Sequence, residues 1–281
     1  MTRASVVIPA HNEEAVLGLL LDRLLKEAGT GELEVVVVAN GCTDGTVELA
    51  ESYGPAVRVV TSEIPSKRAA LRIGDAAATA FPRLYVDADV ELGTDDVRRL
   101  CAAVEEPGVL AAAPERVFDM TGRAWPVRWY YDVWTRLPEV RRGLFGRGVL
   151  AVSAGGHERV AALPAVMADD LAISLAFAEP ERVVVRDAAV LIRPPRTAAD
   201  LLRRRVRVET GTSQLEKAED RPEASARTSR RDLVAMLRAE PRLVPRLPVF
   251  LAFALLARVR ARRAVRADDP SWLRDESSRQ L

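Results

Sequence analysis

The sequence is poor in several features that usually announce a function. It has two cysteines, Cys42 and Cys101, and two histidines, His11 and His157, in 281 residues. Two thiols make neither a disulfide framework nor a structural zinc pattern, and they suit a reducing compartment. Lysine plus arginine (41) nearly cancels aspartate plus glutamate (40), so a net charge of +1 gives no reason to expect nucleic-acid binding. The longest uncharged apolar run, LPVFLAFALLA at 247–257, falls well short of the ~20 residues that a spanning helix needs. The opening stretch MTRASVVIPAHNEE meets charge too early for a signal peptide, and the chain is expected to be made and kept in the cytoplasm. No GxGxxG follows the first apolar run and GxxxxGK[ST] occurs nowhere, so neither a dinucleotide-binding enzyme nor a P-loop ATPase is favoured. No internal repeat is visible.

What is present is an alternation. ASVVIPA (4–10), LEVVVVA (33–39), VRVVTS (57–62) and RLYVD (83–87) read as buried strands. Helical patterns follow each of them, with Ser66 and Thr94 as cap residues of the third and fourth helices and Gly54 ending the second. Four strand–helix units in a row predict an α/β fold with a parallel, doubly wound sheet. Ligands in such sheets bind at the carboxyl ends of the strands. PAHNEE, ANGCTDGT, PSKR and DADVE all fall there, and four loops on one edge make one site.

Beyond residue 115 the pattern changes. GRAWPVRWYYDVWTRLPEV (122–140) gathers three of the four tryptophans and two of the four tyrosines. The cluster Trp125, Trp129, Tyr130, Tyr131 and Trp134 is either core or a platform for a sugar or lipid acceptor. GRGVLAVSAGGHERV reads as a strand and a glycine turn, DDLAISLAFAEPE as a helix opened by acids, and RVVVRDAAVLI as β-rich. A basic helix covers TAADLLRRRVRVETGTSQL, and a polar stretch leads to an arginine-rich helical tail over 230–265. That tail can lie on an anionic membrane surface or pack on the rest of the chain.

Asp87 and Asp89 carry the chemistry. Two carboxylates at i and i+2 at a strand's end face the same side and can share Mg²⁺ or Mn²⁺ with a substrate phosphate. They can equally be a solvated pair in a turn. Lys67 or Arg68 would add counter-charge for a diphosphate, or simply begin a solvated helix.

VVIPAHNEE, VVVVANGCTDGT, SKRAALRIG, YVDADVE, MADDLAIS and RPPRTAADLLRRRVRVETG, in that order, resemble glycosyltransferase family 2 over residues 5 to about 215. The resemblance implies the GT-A fold, a Rossmann-like, mostly parallel sheet flanked by helices, here with a helical C-terminal tail. It implies a domain over 1–215, with a nucleotide-sugar half (1–115) and an acceptor and catalytic half (116–215), followed by a polar linker and tail (216–281). The implied activity is transfer of a hexosyl-type sugar, with inversion, from a nucleotide-diphosphate donor to an acceptor hydroxyl on a small molecule, lipid or glycan, with Mg²⁺ or Mn²⁺ as cofactor.

By motif position Pro9, His11, Asn12 and Glu13 look like the first nucleotide loop, with His11 able to stack on the base or to be a surface residue. Asn40 stands where the family usually has a base-reading aspartate, which leaves the base open because Asn both donates and accepts. Asp44 fits the TDGT turn or only caps a helix. Lys67 aligns with a basic residue near the diphosphate, Asp87 and Ala88 with the ribose or metal contact, and Asp89 with the direct metal ligand. Asp170, with Asp169 in reserve, matches the base, though both can cap their helix. Gly155, Gly156 and His157 occupy the acceptor region, and Arg205 and Arg207 face the diphosphate or solvent. Arginine and Val208 replace the glutamine and tryptophan of the processive enzymes' QxxRW motif, so a single transfer is expected. The alternatives are a non-catalytic sugar-nucleotide-binding protein and a sugar nucleotidyltransferase. The second would want a GxGTR-type loop where PAHNEE stands.

Overall fold

A computed structural model describes residues 4–163, 169–218 and 230–267. The four expected strands form β1 (Ala4–Ala10), β2 (Leu33–Asn40), β3 (Val57–Ser62) and β4 (Arg83–Val86), paired in parallel in the order β3-β2-β1-β4. The short β5 (Val90–Leu92) follows β4, and β6 (Ala111–Phe118), β7 (Val149–Val152) and β8 (Arg182–Ile192) extend the sheet to β3-β2-β1-β4-β7-β6-β8-β5. β7 runs antiparallel to β4 and to β6, β8 runs parallel to β6, and β5 closes the far edge antiparallel to β8. The sheet is therefore parallel in its first half and mixed in its second.

α1 (Glu14–Leu25), α2 (Thr46–Glu51) and α4 (Thr94–Glu105) cover one face, burying Leu17, Leu20, Leu21, Leu24, Val97 and Leu100 against Val6, Ile8 and Val37. Each fully buried leucine contributes roughly 1.5–3 kcal/mol. α3 (Lys67–Ala77) covers Val7, Val36 and Val38 on the other face. Ser66 caps it by accepting a hydrogen bond from the Ala69 amide at 3.3 Å. β2 reads as an unbroken valine run because both its faces are buried.

The glycines of AGGHERV do not form a turn. They open α7 (Ala154–Ala161), whose cap Ser153 accepts from the Gly156 amide at 3.2 Å. Gly156 lies so close to β6 that a Cβ there would sit 2.2 Å from the Leu110 carbonyl oxygen. Gly156 thus serves a close backbone approach inside a helix, which its sequence alone cannot distinguish from a turn.

A second core stands beside the sheet. α5 (Trp125–Trp134), α6 (Pro138–Arg142), α9 (Ala198–Ala218), α10 (Arg230–Ala239) and α11 (Leu247–Ala267) pack around Val127, Tyr130, Tyr131, Leu201, Phe250 and Phe253. α8 (Asp169–Ala176) completes the helices. No described helix is long and apolar enough to cross a membrane.

Gly74 tests how tightly α3 lies on β1. A Cβ there would be 2.3 Å from Val7 Cγ1. Gly74→Ala is expected to destabilise the fold by ~1–3 kcal/mol, the usual cost of overpacking, measurable as a lowered urea midpoint. An unchanged midpoint would mean that the helix can lift without cost.

Candidate active site

The carboxyl ends of β1, β2, β3 and β4 share one edge, because the four strands are parallel. The chain leaves β1 through His11 and Asn12 and leaves β2 through Gly41 to Asp44, and side chains stitch these two loops together. His11 Nδ1 lies 2.6 Å from the Asn40 carbonyl oxygen, an acceptor, so that nitrogen carries the proton. Asn12 holds a left-handed conformation, φ 53°, which Asn tolerates better than most residues. Its Oδ1 accepts from the Thr43 amide at 2.8 Å. Glu13 is buried, and its amide donates to Thr46 Oγ1 at 2.8 Å.

Asn40 is 3% exposed and its Nδ2 donates to the Ala10 carbonyl at 2.7 Å. An ionised aspartate has no hydrogen to give and would repel that oxygen. Asparagine at this position therefore ties the end of β2 to the end of β1.

Asp44 is engaged at the start of α2. Its Oδ1 accepts from the Thr46 amide at 3.1 Å and the Thr46 hydroxyl at 2.5 Å, and its Oδ2 accepts from the Glu14 amide at 3.3 Å. Burial pushes its carboxyl up, but the bonds from Thr46 and Glu14 outweigh burial and hold it below the ordinary carboxylate range.

The acidic pair sits just past β4, with Ala88 and Asp89 in a turn before β5. Burial still alternates: Tyr85, Asp87 and Asp89 are half-buried while Val86, Ala88 and Val90 are buried. The Asp87 amide donates to the Gly148 carbonyl at 2.7 Å. Lys67 Nζ, at the start of α3, donates to Asp87 Oδ1 at 2.6 Å, and both side chains stay about one-third exposed.

A cavity of about 330 Å³ runs from this edge down the face of β4. Pro9, Lys67, Arg68, Asp87 and Gly148 line its upper part, and Tyr85 and His157 line it lower down. The Tyr85 hydroxyl lies 2.9 Å from Asp75 Oδ1 and 2.8 Å from His157 Nδ1. Asp75 also pairs with Arg83 at 3.1 Å; Tyr85 donates to Asp75, which leaves His157 to donate to Tyr85. Burial, then the charge of Asp75, pushes the Tyr85 phenol far up. His157 thus meets the cavity, but from below.

Gly155 and Gly156 lie elsewhere. β7 is antiparallel to β4, with Val152 opposite Arg83, so α7 starts at the edge opposite the acidic pair. Arg205 packs on the helical core. Its guanidinium lies 5.9 Å from the Tyr130 ring centroid, within the helical core. Arg207 is half-buried on the same helix. Asp169 and Asp170 open α8, and their side chains lie outside the described residues.

The aromatic cluster divides. Tyr130 and Tyr131 are buried, and Trp134 packs on Phe118 and Tyr131. Trp125 is 60% exposed and meets Trp129 edge-on at 5.0 Å. Because β6 runs antiparallel to β7, it ends at the site edge, and α5 begins seven residues beyond Phe118. Trp125 is therefore a surface aromatic on the helix that follows that edge.

Sequence reading missed Gly148 and Arg147. Gly148 has φ +67°, and a Cβ there would lie 2.6 Å from Val90 Cγ1 and 3.5 Å from Asp87 Oδ2. The only signal for it was the GRG run after an apolar residue.

Two carboxylates on one turn offer hard oxygen ligands, which suit Mg²⁺ or Mn²⁺ completed by phosphate oxygens. Among the described residues no third carboxylate, histidine or cysteine joins them. The donor set therefore fits an ion shared with a ligand rather than one caged by protein.

The family described as Glycosyl transferase family 2 matches residues 5–157. Dolichyl-phosphate beta-glucosyltransferase of Drosophila melanogaster is 36% identical over 115 residues, 36% of this chain and 35% of the relative. Undecaprenyl-phosphate 4-deoxy-4-formamido-L-arabinose transferase of Proteus mirabilis is 26% identical over 113 residues, 38% of this chain and 35% of the relative. The chain thus matches about a third of the length of each. Among solved structures, a mannosyltransferase of Pyrobaculum calidifontis in complex with GDP-Man and Mn²⁺ superposes with a TM-score of 0.62 at 22% identity, covering 96% of this chain and 76% of that one. Glucosyl-3-phosphoglycerate synthase of Mycobacterium tuberculosis, in complex with Mn²⁺, UDP-glucose and phosphoglyceric acid, superposes at 0.58 and 19% identity, covering 79% and 81%. These likenesses establish the GT-A-like fold.

Asp44 yields a pH test. Its carboxyl is lowered in the fold, so its contribution is present above the unfolded pKa and is lost as pH falls through the lowered one. Asp44→Asn should flatten the acid side of the stability–pH curve below about pH 4. Parallel curves for the two proteins would show that the cap carries no charge-dependent stability.

Proposed function

The chain belongs to glycosyltransferase family 2, and on that footing we propose that it transfers a hexosyl-type sugar, once and with inversion, from a nucleotide-diphosphate donor to an acceptor. The observation that carries this reading is the meeting of Asp87, Asp89 and Lys67 with the stitched loops of β1 and β2 on one sheet edge. Residues 1–215 act in this reading as the catalytic unit, with 216–281 as linker and tail. Two free cysteines fit a cytoplasmic setting.

Asp87 and Asp89 would hold Mg²⁺ or Mn²⁺, which supplies positive charge where the leaving nucleoside diphosphate becomes more negative. Lys67 Nζ, already beside Asp87, is within reach of the same phosphates. His11, Asn12 and Glu13 frame the nucleotide side. Asp170, with Asp169 in reserve, takes the acceptor proton. The acceptor oxygen bonds the anomeric carbon on the face opposite the diphosphate, which departs with the bonding electron pair. The exposed Trp125 offers a face to the acceptor.

The two curated relatives are named for acting on polyprenyl phosphates, and the chemistry separates such an acceptor from a hydroxyl. A phosphate oxygen is already ionised near neutral pH and needs no base, whereas a hydroxyl does.

Asp89→Ala is expected to lower donor-dependent release of nucleoside diphosphate by about 10²–10³-fold with Mn²⁺ present, without lowering the melting temperature. Product NMR should show an inverted anomeric configuration. Unchanged release would sink the metal assignment. A donor-induced rise in melting temperature without any release would favour the non-catalytic sugar-nucleotide-binding protein. Asp170→Asn separates the acceptor classes. A loss of about 10²-fold or more indicates a hydroxyl acceptor, and an unaffected rate indicates a phosphate.

A further inference from the structure

The outer face of α11 carries a surface that catalysis does not use. Its inner face buries Phe250, Phe253, Ala257 and Ala261 in the helical core. Its outer face is apolar as well. Leu251, Leu255, Leu256 and Val259 are 45%, 63%, 48% and 39% exposed, and Val244, just before the helix, is 54% exposed. At 3.6 residues per turn the four helix positions spread over about 140° of the circumference. That is at least as wide as the roughly 100° stripe by which an ordinary surface helix meets its core. Single exposed leucines are common, but a contiguous apolar face calls for a partner.

Charge selects the partner. Between Glu240 and Asp268 the sequence has no acidic residue and seven arginines, at 242, 246, 258, 260, 262, 263 and 266. Arg242, Arg246 and Arg258 pair with Glu240, Asp132 and Glu209. Arg260, Arg262 and Arg263 are exposed on the turns that continue the apolar face, and no ion pair joins them to another described residue. The matching surface is apolar beneath and anionic above, which is the boundary layer of an anionic phospholipid bilayer. A helix with too few apolar and too many charged residues to span would lie along it.

We propose that α11 docks lengthwise on an anionic membrane surface, with Leu251, Leu255, Leu256 and Val259 in the headgroup boundary and Arg260, Arg262 and Arg263 on lipid phosphates. The proposal does not depend on the catalytic reading, because vesicle binding needs no donor, metal or turnover.

The test is sedimentation of the full chain with phosphatidylcholine vesicles, with and without phosphatidylglycerol. Binding should require phosphatidylglycerol and weaken with salt. Replacing Arg260, Arg262 and Arg263 by Gln should weaken it by about fivefold per arginine. Leu251→Ser with Leu255→Ser should weaken it by about tenfold or more, while the melting temperature stays unchanged. Absence of binding by folded protein overturns the proposal. So does a large fall in melting temperature in the leucine variant, because the face would then be covered by the chain itself. A dimer that the same leucine variant dissociates, without vesicle binding, assigns the face to a second copy instead.

Discussion

The site depends on one buried guanidinium. Arg147 is fully buried, and its donors meet the carbonyls of Gly143 (3.0 Å), Pro114 (2.6 Å) and Arg141 (3.1 Å) as well as Glu115 Oε2 (3.1 Å). Burial lowers its pKa, and the Glu115 carboxylate offsets part of that. A buried charge is tolerable only when its hydrogen bonds are met, so the carbonyls must stay where they are. Arg116 adds bonds to the carbonyls of Val140, Phe145 and Gly146. Between them the two arginines fix the path of residues 143–148. Gly148 then presents its carbonyl to the Asp87 amide, and the acidic turn is held by a loop that also lines the cavity.

The first half of the fold was legible because its physics is local. Parallel strands buried on both faces write themselves as valine runs, and β1 to β4 lie within a residue or so of where those runs place them. The second half was less legible because its pairings are tertiary. β5 has three residues and β7 four, and nothing in VEL or VLAV names a partner. Their antiparallel pairings follow from where helices return the chain.

The site was legible as residue types and less so as roles. Asp87, Asp89 and Lys67 stand where four converging loops put them. Asn40 and Asp44 occupy positions suited to a ligand, yet each is held by hydrogen bonds within the edge. Gly155 and Gly156 were misplaced because strand direction, unreadable in SAGGHE, sends them to the opposite edge. Arg147 was invisible because a buried arginine and a solvated one have the same letter. The aromatic cluster was split by helix periodicity: Tyr130 faces the core and Trp125 faces out.

The Lys67–Asp87 ion pair has a consequence for the proposed metal and donor. An ammonium already occupies one carboxylate oxygen, so in the proposed reading a divalent ion bound to that oxygen would meet the Lys67 charge. A diphosphate arriving with the ion would give Lys67 a new partner while Asp87 held the metal. The exchange is close to neutral in ion pairs only when both arrive. On the proposed function, metal and nucleotide would thereby be thermodynamically linked, each raising the other's affinity by the same factor. An edge built this way would respond to metal and nucleotide together rather than to either alone.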